Sequence, residues 1–234
     1  MHLLARIPLA TVELRWLEPV AGPPPLRARQ LRGAVAAAFA DDCLFHQHGP
    51  DGRGLYRYPR VQYRWQRGAG LVVGWHDAAE KLLNLPWLDL ELRLGAEAVR
   101  VGEALLRPVG GTFGADDRLC HYRLVSPVLI LNQKNYAHYQ GLDRAGQRRE
   151  RDRLLVAQLL VALRELGVEF DGRLFAAFTR ARPETCRLKE QELLGFGGGF
   201  VTNAVLPAGF AIGHAVSHGY GWIETAEGEG EESS

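Results

Sequence analysis

The chain has 234 residues, 47% of them apolar, enough to bury the core of one large domain or two small ones. Its formal charge of +1 hides an asymmetry: five of the 27 acidic residues, Glu224, Glu227, Glu229, Glu231 and Glu232, lie at the C-terminus, so residues 1–223 carry +6, from 28 basic against 22 acidic side chains. No secretory leader opens the chain and no apolar run approaches the ~18 residues of a spanning helix, so export and membrane insertion are not expected; Cys43, Cys120 and Cys186 are scattered with no metal spacing and read as thiols of a reducing cytoplasm.

Leu3 to Leu17 alternates as a strand, through Ile7, Leu9, Val12, Leu14 and Trp16, and Gly22-Pro23-Pro24-Pro25 ends it. Leu26 to Phe39 reads as a helix with Leu31, Val35 and Phe39 on one stripe. Tyr56 to Trp65 and Gly70 to Trp75 form a hairpin across Gln66-Arg67-Gly68-Ala69, followed by a short helix from Asp77 to Leu85. A further strand is placed in Trp87 to Leu94, with a companion in Val99 to Leu106. The order strand, helix, strand, strand, helix, strand is ferredoxin-like.

Gly110-Gly111-Thr112-Phe113-Gly114 reads as a break, after which a second α+β unit begins with a strand at Cys120 to Leu131. A long helix from Arg148 to Leu166 turns Leu155, Leu159, Leu163 and Leu166 toward a core and stops before Gly167. Strands follow around Leu174 to Arg182, Thr185 to Leu193 and Phe200 to Leu206, and then a glycine-rich segment from Gly209 to Gly221. The expected division is an N-terminal domain over 1–114, a C-terminal domain over 115–224 and an acidic, unfolded tail over 225–234.

His46 and His48, two apart, share one side if the backbone there is extended. A pair of imidazoles titrating near neutrality supplies one neutral base and one protonated acid, which suits attack of an RNA 2′-hydroxyl on the neighbouring phosphate. Structural histidines and a metal site are the alternatives, though Asp41, Asp42 and Cys43 nearby make no zinc pattern.

Next to the pair, Tyr56, Arg57, Tyr58, Arg60 and Arg64 offer stacking and phosphate contacts, although aromatics and arginines do not separate cleanly by strand face. Of the 28 basic residues only Lys81, Lys134 and Lys189 are lysines; arginine suits phosphate, and a GC-rich genome gives the same bias. Arg148 and Arg149, with Arg151 and Arg153, crowd the expected start of the long helix, where a bound phosphate would relieve repulsion; a solvated face neutralised by Glu150 and Asp152 is the alternative. In the glycine-rich segment, Gly213 and Gly219 permit close approach of backbone to phosphate, and His214 and His218 add donors charged only when protonated.

Leu44 to His48 followed by Tyr56 to Arg64, together with Phe200 to Pro207 and the glycine-rich run through Gly221, resembles the two end motifs of the CRISPR-associated repeat-processing endoribonucleases, the Cas six family, b subtype. The resemblance implies an α+β fold of two ferredoxin-like (RAMP, RRM-like) domains in tandem. It implies metal-independent cleavage of CRISPR precursor RNA within repeats, leaving 2′,3′-cyclic phosphate and 5′-hydroxyl ends, with His46 and His48 at the catalytic positions and no cofactor. CRISPR effector subunits and a second copy of the chain are the compatible protein partners, and a non-catalytic RNA-binding subunit of an effector complex is the alternative function. The sequence departs from the family at Ala211, where a glycine is usual, and at His214 and His218, where basic side chains are usual.

Overall fold

The structure is a computed structural model describing residues 1–42, 44–45, 58–170, 172–188 and 191–226. It divides into two compact units: a first made of Ile7–Gly111 with Val216–Gly219, and a second made of Met1–Arg6, Thr112–Ala215 and the chain from Tyr220 onward.

The first unit takes its elements from β1 (His2–Trp16), α1 (Pro24–Ala38), β2 (Val61–Gln66), β3 (Ala69–Trp75), α2 (Asp77–Leu83), β4 (Glu91–Leu94) and the start of β5 (Glu97–Val128). Helix α1 begins on prolines because the first-turn N–H groups have no helical acceptor to lose. Its Ala28, Leu31, Ala34 and Val35 are buried, and Leu31 and Val35 lie in one core with Val61, Tyr63, Trp65 and Val72. Each such aliphatic side chain contributes roughly 1.5–3 kcal/mol by leaving water. Phe39, which caps the helix, stacks on Phe45 at 5.4 Å and meets the edge of Trp87 at 5.6 Å.

Strands β2 and β3 are antiparallel with Gln66 opposite Ala69, so the turn consists of Arg67 and Gly68 alone, at φ 51° and 80°. Two positive φ values are what a two-residue hairpin needs to match strand twist. The strand order is β2-β3-β1-β5, the ferredoxin arrangement, but its fourth strand is the start of β5. Trp87 to Leu94 does not supply it: the Trp87 indole donates to the Leu82 carbonyl at 2.7 Å, and only Glu91–Leu94 is extended, as an arm pairing back on Glu97–Arg100. The glycines at 110 and 111 do not interrupt β5, which runs unbroken for 32 residues.

The second unit continues with α3 (Gln133–Gln140), α4 (Arg144–Glu165), β6 (Ala176–Leu188), β7 (Gln191–Val205) and β8 (Ile223–Thr225). Helix α3, absent from the sequence reading, is capped by the Asn132 side chain accepting from the Asn135 N–H at 2.9 Å. The three expected short strands are two long ones, in register from Ala176 opposite Thr202 to Leu188 opposite Gln191, with an irregularity between Phe178 and Arg180. β8 pairs with β5, β5 with β7 and β7 with β6, again the ferredoxin order. Between β7 and β8, where the first unit has α2, the chain forms only a one-turn 3-10 helix, Val216–His218. Thr225 lies in β8, and the Ala226 N–H donates to the His121 carbonyl at 2.9 Å, so strand pairing reaches two residues into the expected tail. Among the described residues, no helix is long and apolar enough to cross a membrane.

Candidate nucleic-acid interface

His46, His48, Tyr56 and Arg57 lie outside the described residues. The chain is described again from Tyr58, which is buried, with Arg60 partly exposed just before β2. Within β2 the odd positions Val61, Tyr63 and Trp65 join the core with α1. The even positions are also enclosed: Gln62 is 0% and Arg64 4% exposed.

A buried guanidinium is tolerable only if hydrogen-bonded, and Arg64 Nη2 donates to Gln62 Oε1 at 3.0 Å while Gln62 Nε2 reaches the Pro59 carbonyl at 3.4 Å. Tyr58 and Arg64, expected along an open RNA path, are therefore interior, and Arg60 is the member of that set with partial surface. Gln62 was missed by the sequence reading; its signal was a second polar residue two positions from Arg64 in an otherwise apolar strand. Burial pushes the Tyr63 phenol above its ordinary pKa, so it stays neutral.

The glycine-rich segment divides between the units. Val216–Gly219 belongs to the first. At Gly219, φ 87°, a Cβ would lie 3.0 Å from Ala28 Cβ on α1 and 3.1 Å from the Tyr63 carbonyl on β2. His218 and Gly219 thus share a unit with Tyr58, Arg60 and Arg64.

Gly213 and His214 belong to the second. A Cβ on Gly213, at φ 89°, would lie 2.6 Å from the Leu129 carbonyl, which also accepts from the His214 N–H at 2.7 Å. This glycine is required by packing against the chain leaving β5, whatever its role toward phosphate. His214 Nε2 is enclosed without a hydrogen-bond partner among the described residues. Burial lowers its pKa below the ordinary 6.5, so near neutrality it is a neutral ring and not a cation.

Arg148 and Arg149 are exposed on α4. The helix starts at Arg144, four residues before the expected start, and the Asp143 carboxylate caps it by accepting from the Gly146 N–H at 2.7 Å. The two arginines therefore sit in the second turn, and the helix N-terminus already holds an anion. Their neighbours are engaged elsewhere: Arg153 with Glu150 at 2.7 and 2.8 Å, and Arg151 with the Tyr139 hydroxyl at 2.9 Å and over the Phe196 ring. Among the described residues no group of three or more His, Cys, Asp or Glu is placed to hold a metal ion.

The sequence matches the family model of the Cas6b N-terminal domain over residues 7–107 and that of the Cas6b C-terminal domain over 114–226. The chain belongs to the Cas6 family and resembles its b subtype. A crystal structure of Cas6b is similar over 95% of this chain and 100% of its own, with a TM-score of 0.82 and 21% identity. The crystal structure of a CRISPR RNA processing endoribonuclease, also Cas6b, gives 0.71 over 94% and 100%, again at 21% identity. At that identity the likeness carries the Cas6 fold, two tandem α+β domains. An uncharacterized protein of Methanocaldococcus jannaschii is 29% identical over 137 residues, 58% of this chain and 93% of that one.

Proposed function

We propose that this Cas6 chain is an endoribonuclease that binds CRISPR precursor RNA and cuts it within the repeats. The observation that carries the reading is the match to both Cas6b domains, in a chain whose sequence carries His46 and His48 between α1 and β2. One neutral imidazole removes the proton of the 2′-hydroxyl, and O2′ attacks the adjacent phosphorus. The bond from phosphorus to O5′ breaks as the second, protonated imidazole gives its proton to O5′, leaving a 2′,3′-cyclic phosphate and a 5′-hydroxyl. Each well-placed group contributes ~10²–10⁴-fold, and no step requires a metal.

Exposed Arg148 and Arg149 and partly exposed Arg60 are the charged groups assigned to phosphate contact, together with Arg57. Tyr56 is assigned to stacking, and Gly213, His214, His218 and Gly219 to the passage of the RNA backbone. Arg64 is assigned to holding the start of β2 through Gln62 and Pro59.

The test is incubation with repeat-containing RNA in excess EDTA from roughly pH 5 to pH 9, the span over which histidine titrates, with identification of the product ends. Cyclic-phosphate ends, lost in the His46→Ala/His48→Ala double variant with binding retained, are the expected result. Loss of cleavage with EDTA would assign a metal-dependent reaction, and salt-sensitive binding without product at any pH a passive RNA-binding subunit.

A further inference from the structure

At the turn of the β2–β3 hairpin the first unit has a cleft of about 740 Å³, lined by Trp16, Arg15, Arg67, Arg107, Glu13 and Glu18 among others. That volume lies within the roughly 300–1,000 Å³ of ligand sites, and none of the contacts assigned above uses it.

Trp16 is held in place before any ligand arrives. Its ring stacks on Trp65 with centroids 5.5 Å apart and planes 12° from parallel. Its indole N–H donates to the Gly68 carbonyl at 2.9 Å. A group that packs on Trp16 therefore meets a side chain whose rotamer entropy is already spent.

Arg67 occupies the first position of the turn at φ 51°, where Gly, Asn or Asp relieve strain and nothing in the turn calls for a long cation. It is exposed and has no ion-pair partner among the described residues. Arg15 and Arg107 share Glu13, at 2.9 and 3.5 Å, and Arg15 also pairs with Glu103 at 2.9 Å, so these four groups balance and Arg67 is the cation of the lining that no acid among the described residues engages. Glu18 is the remaining acid of the lining.

We propose that this cleft is a subsite for single-stranded RNA, in which a base packs against Trp16 and the flanking phosphates are held by Arg67 and Arg107. An aromatic platform beside arginines is the chemistry of sequence-tolerant single-strand binding. A protein partner would be met by a lining depleted of charge, and this lining carries five charged side chains. The inference rests on the RNA-processing reading and adds a place on the first unit where RNA outside the scissile phosphate is held.

The test is the affinity of the full chain for an unstructured RNA octamer as a function of salt, comparing the native protein with Arg67→Gly/Arg107→Ala. Glycine at position 67 relaxes the turn, and the urea midpoint checks that the variant folds. We expect binding roughly tenfold weaker or more and a log–log salt slope smaller by about 1.4, for two single-strand phosphate contacts at about 0.7 each. An octamer carrying 4-thiouridine should crosslink to the peptide that contains Trp16. Unchanged affinity and slope in the double variant, or crosslinks confined to other peptides, would overturn this site while leaving the RNA reading intact. A native chain that binds neither octamer nor repeat RNA would overturn both.

Discussion

Replacing Gly213 by alanine tests whether the glycine-rich segment is built first of all for packing. The new Cβ would lie 2.6 Å from the Leu129 carbonyl oxygen and 2.9 Å from Val128 Cγ2, and a backbone oxygen does not yield cheaply. An L side chain at φ 89° adds ~1–3 kcal/mol of conformational strain. Displacing Leu129 weakens the 2.7 Å bond from the His214 N–H, a net loss of ~0.5–1.5 kcal/mol. Together the substitution should cost about 2–4 kcal/mol without any RNA present. For a urea dependence of ~1–3 kcal/mol per molar, the midpoint of the transition involving the second unit should fall by ~0.7 M or more. Gly110→Ala is the control, since a Cβ there meets nothing within 4 Å and φ is not positive. If Gly213→Ala and Gly110→Ala unfold within ~0.2 M of each other, the packing argument is wrong and the glycine belongs to ligand approach alone.

Leu31→Ala, which empties a fully buried position on α1, should lower stability by ~2–5 kcal/mol; a loss below ~1 kcal/mol would show that α1 does not anchor the first core. Tyr122 accepts from the Leu206 N–H at 2.7 Å, and burial pushes its phenol up to about 12. Tyr122→Phe leaves that buried N–H without its acceptor and should cost ~1–3 kcal/mol, read by denaturant unfolding; a neutral result would mean the amide finds another acceptor. His214 is held below 6.5 by burial, so the unfolded chain takes up a proton that the folded one refuses. The stability it contributes is present above about 6.5 and is lost as pH falls from there toward the folded pKa, and His214→Gln should flatten that acid limb. An NMR titration placing the His214 midpoint at or above 6.5 contradicts the assignment. Arg64→Ala should destabilise the native chain in the absence of RNA, because it removes a buried donor from Gln62; a stable variant impaired only in RNA binding would return Arg64 to the RNA path.

Local pattern was enough for the elements whose cause is local. The Leu31 and Val35 stripe gave α1, the leucine repeat gave most of α4, and Gly68 between two apolar runs gave the β2–β3 turn; the first ferredoxin order and the two end motifs of the family were also legible. What periodicity cannot see is pairing between distant segments. Whether Gly110 and Gly111 end a strand depends on the neighbours that pair with β5, and here they carry it through 32 residues. Whether Trp87–Leu94 is the fourth strand depends on the competition from β5 for the place beside β1, and β5 takes it. Arg64 reads as a surface charge in one dimension and becomes an interior one because both faces of β2 are covered. The glycine-rich segment shows in sequence only that its backbone is free to adopt unusual angles. That Val216–Gly219 packs on α1 and β2, more than 150 residues earlier in the chain, while Gly213 packs on Leu129, was decided by tertiary contacts, because side-chain burial is a property of what arrives from elsewhere.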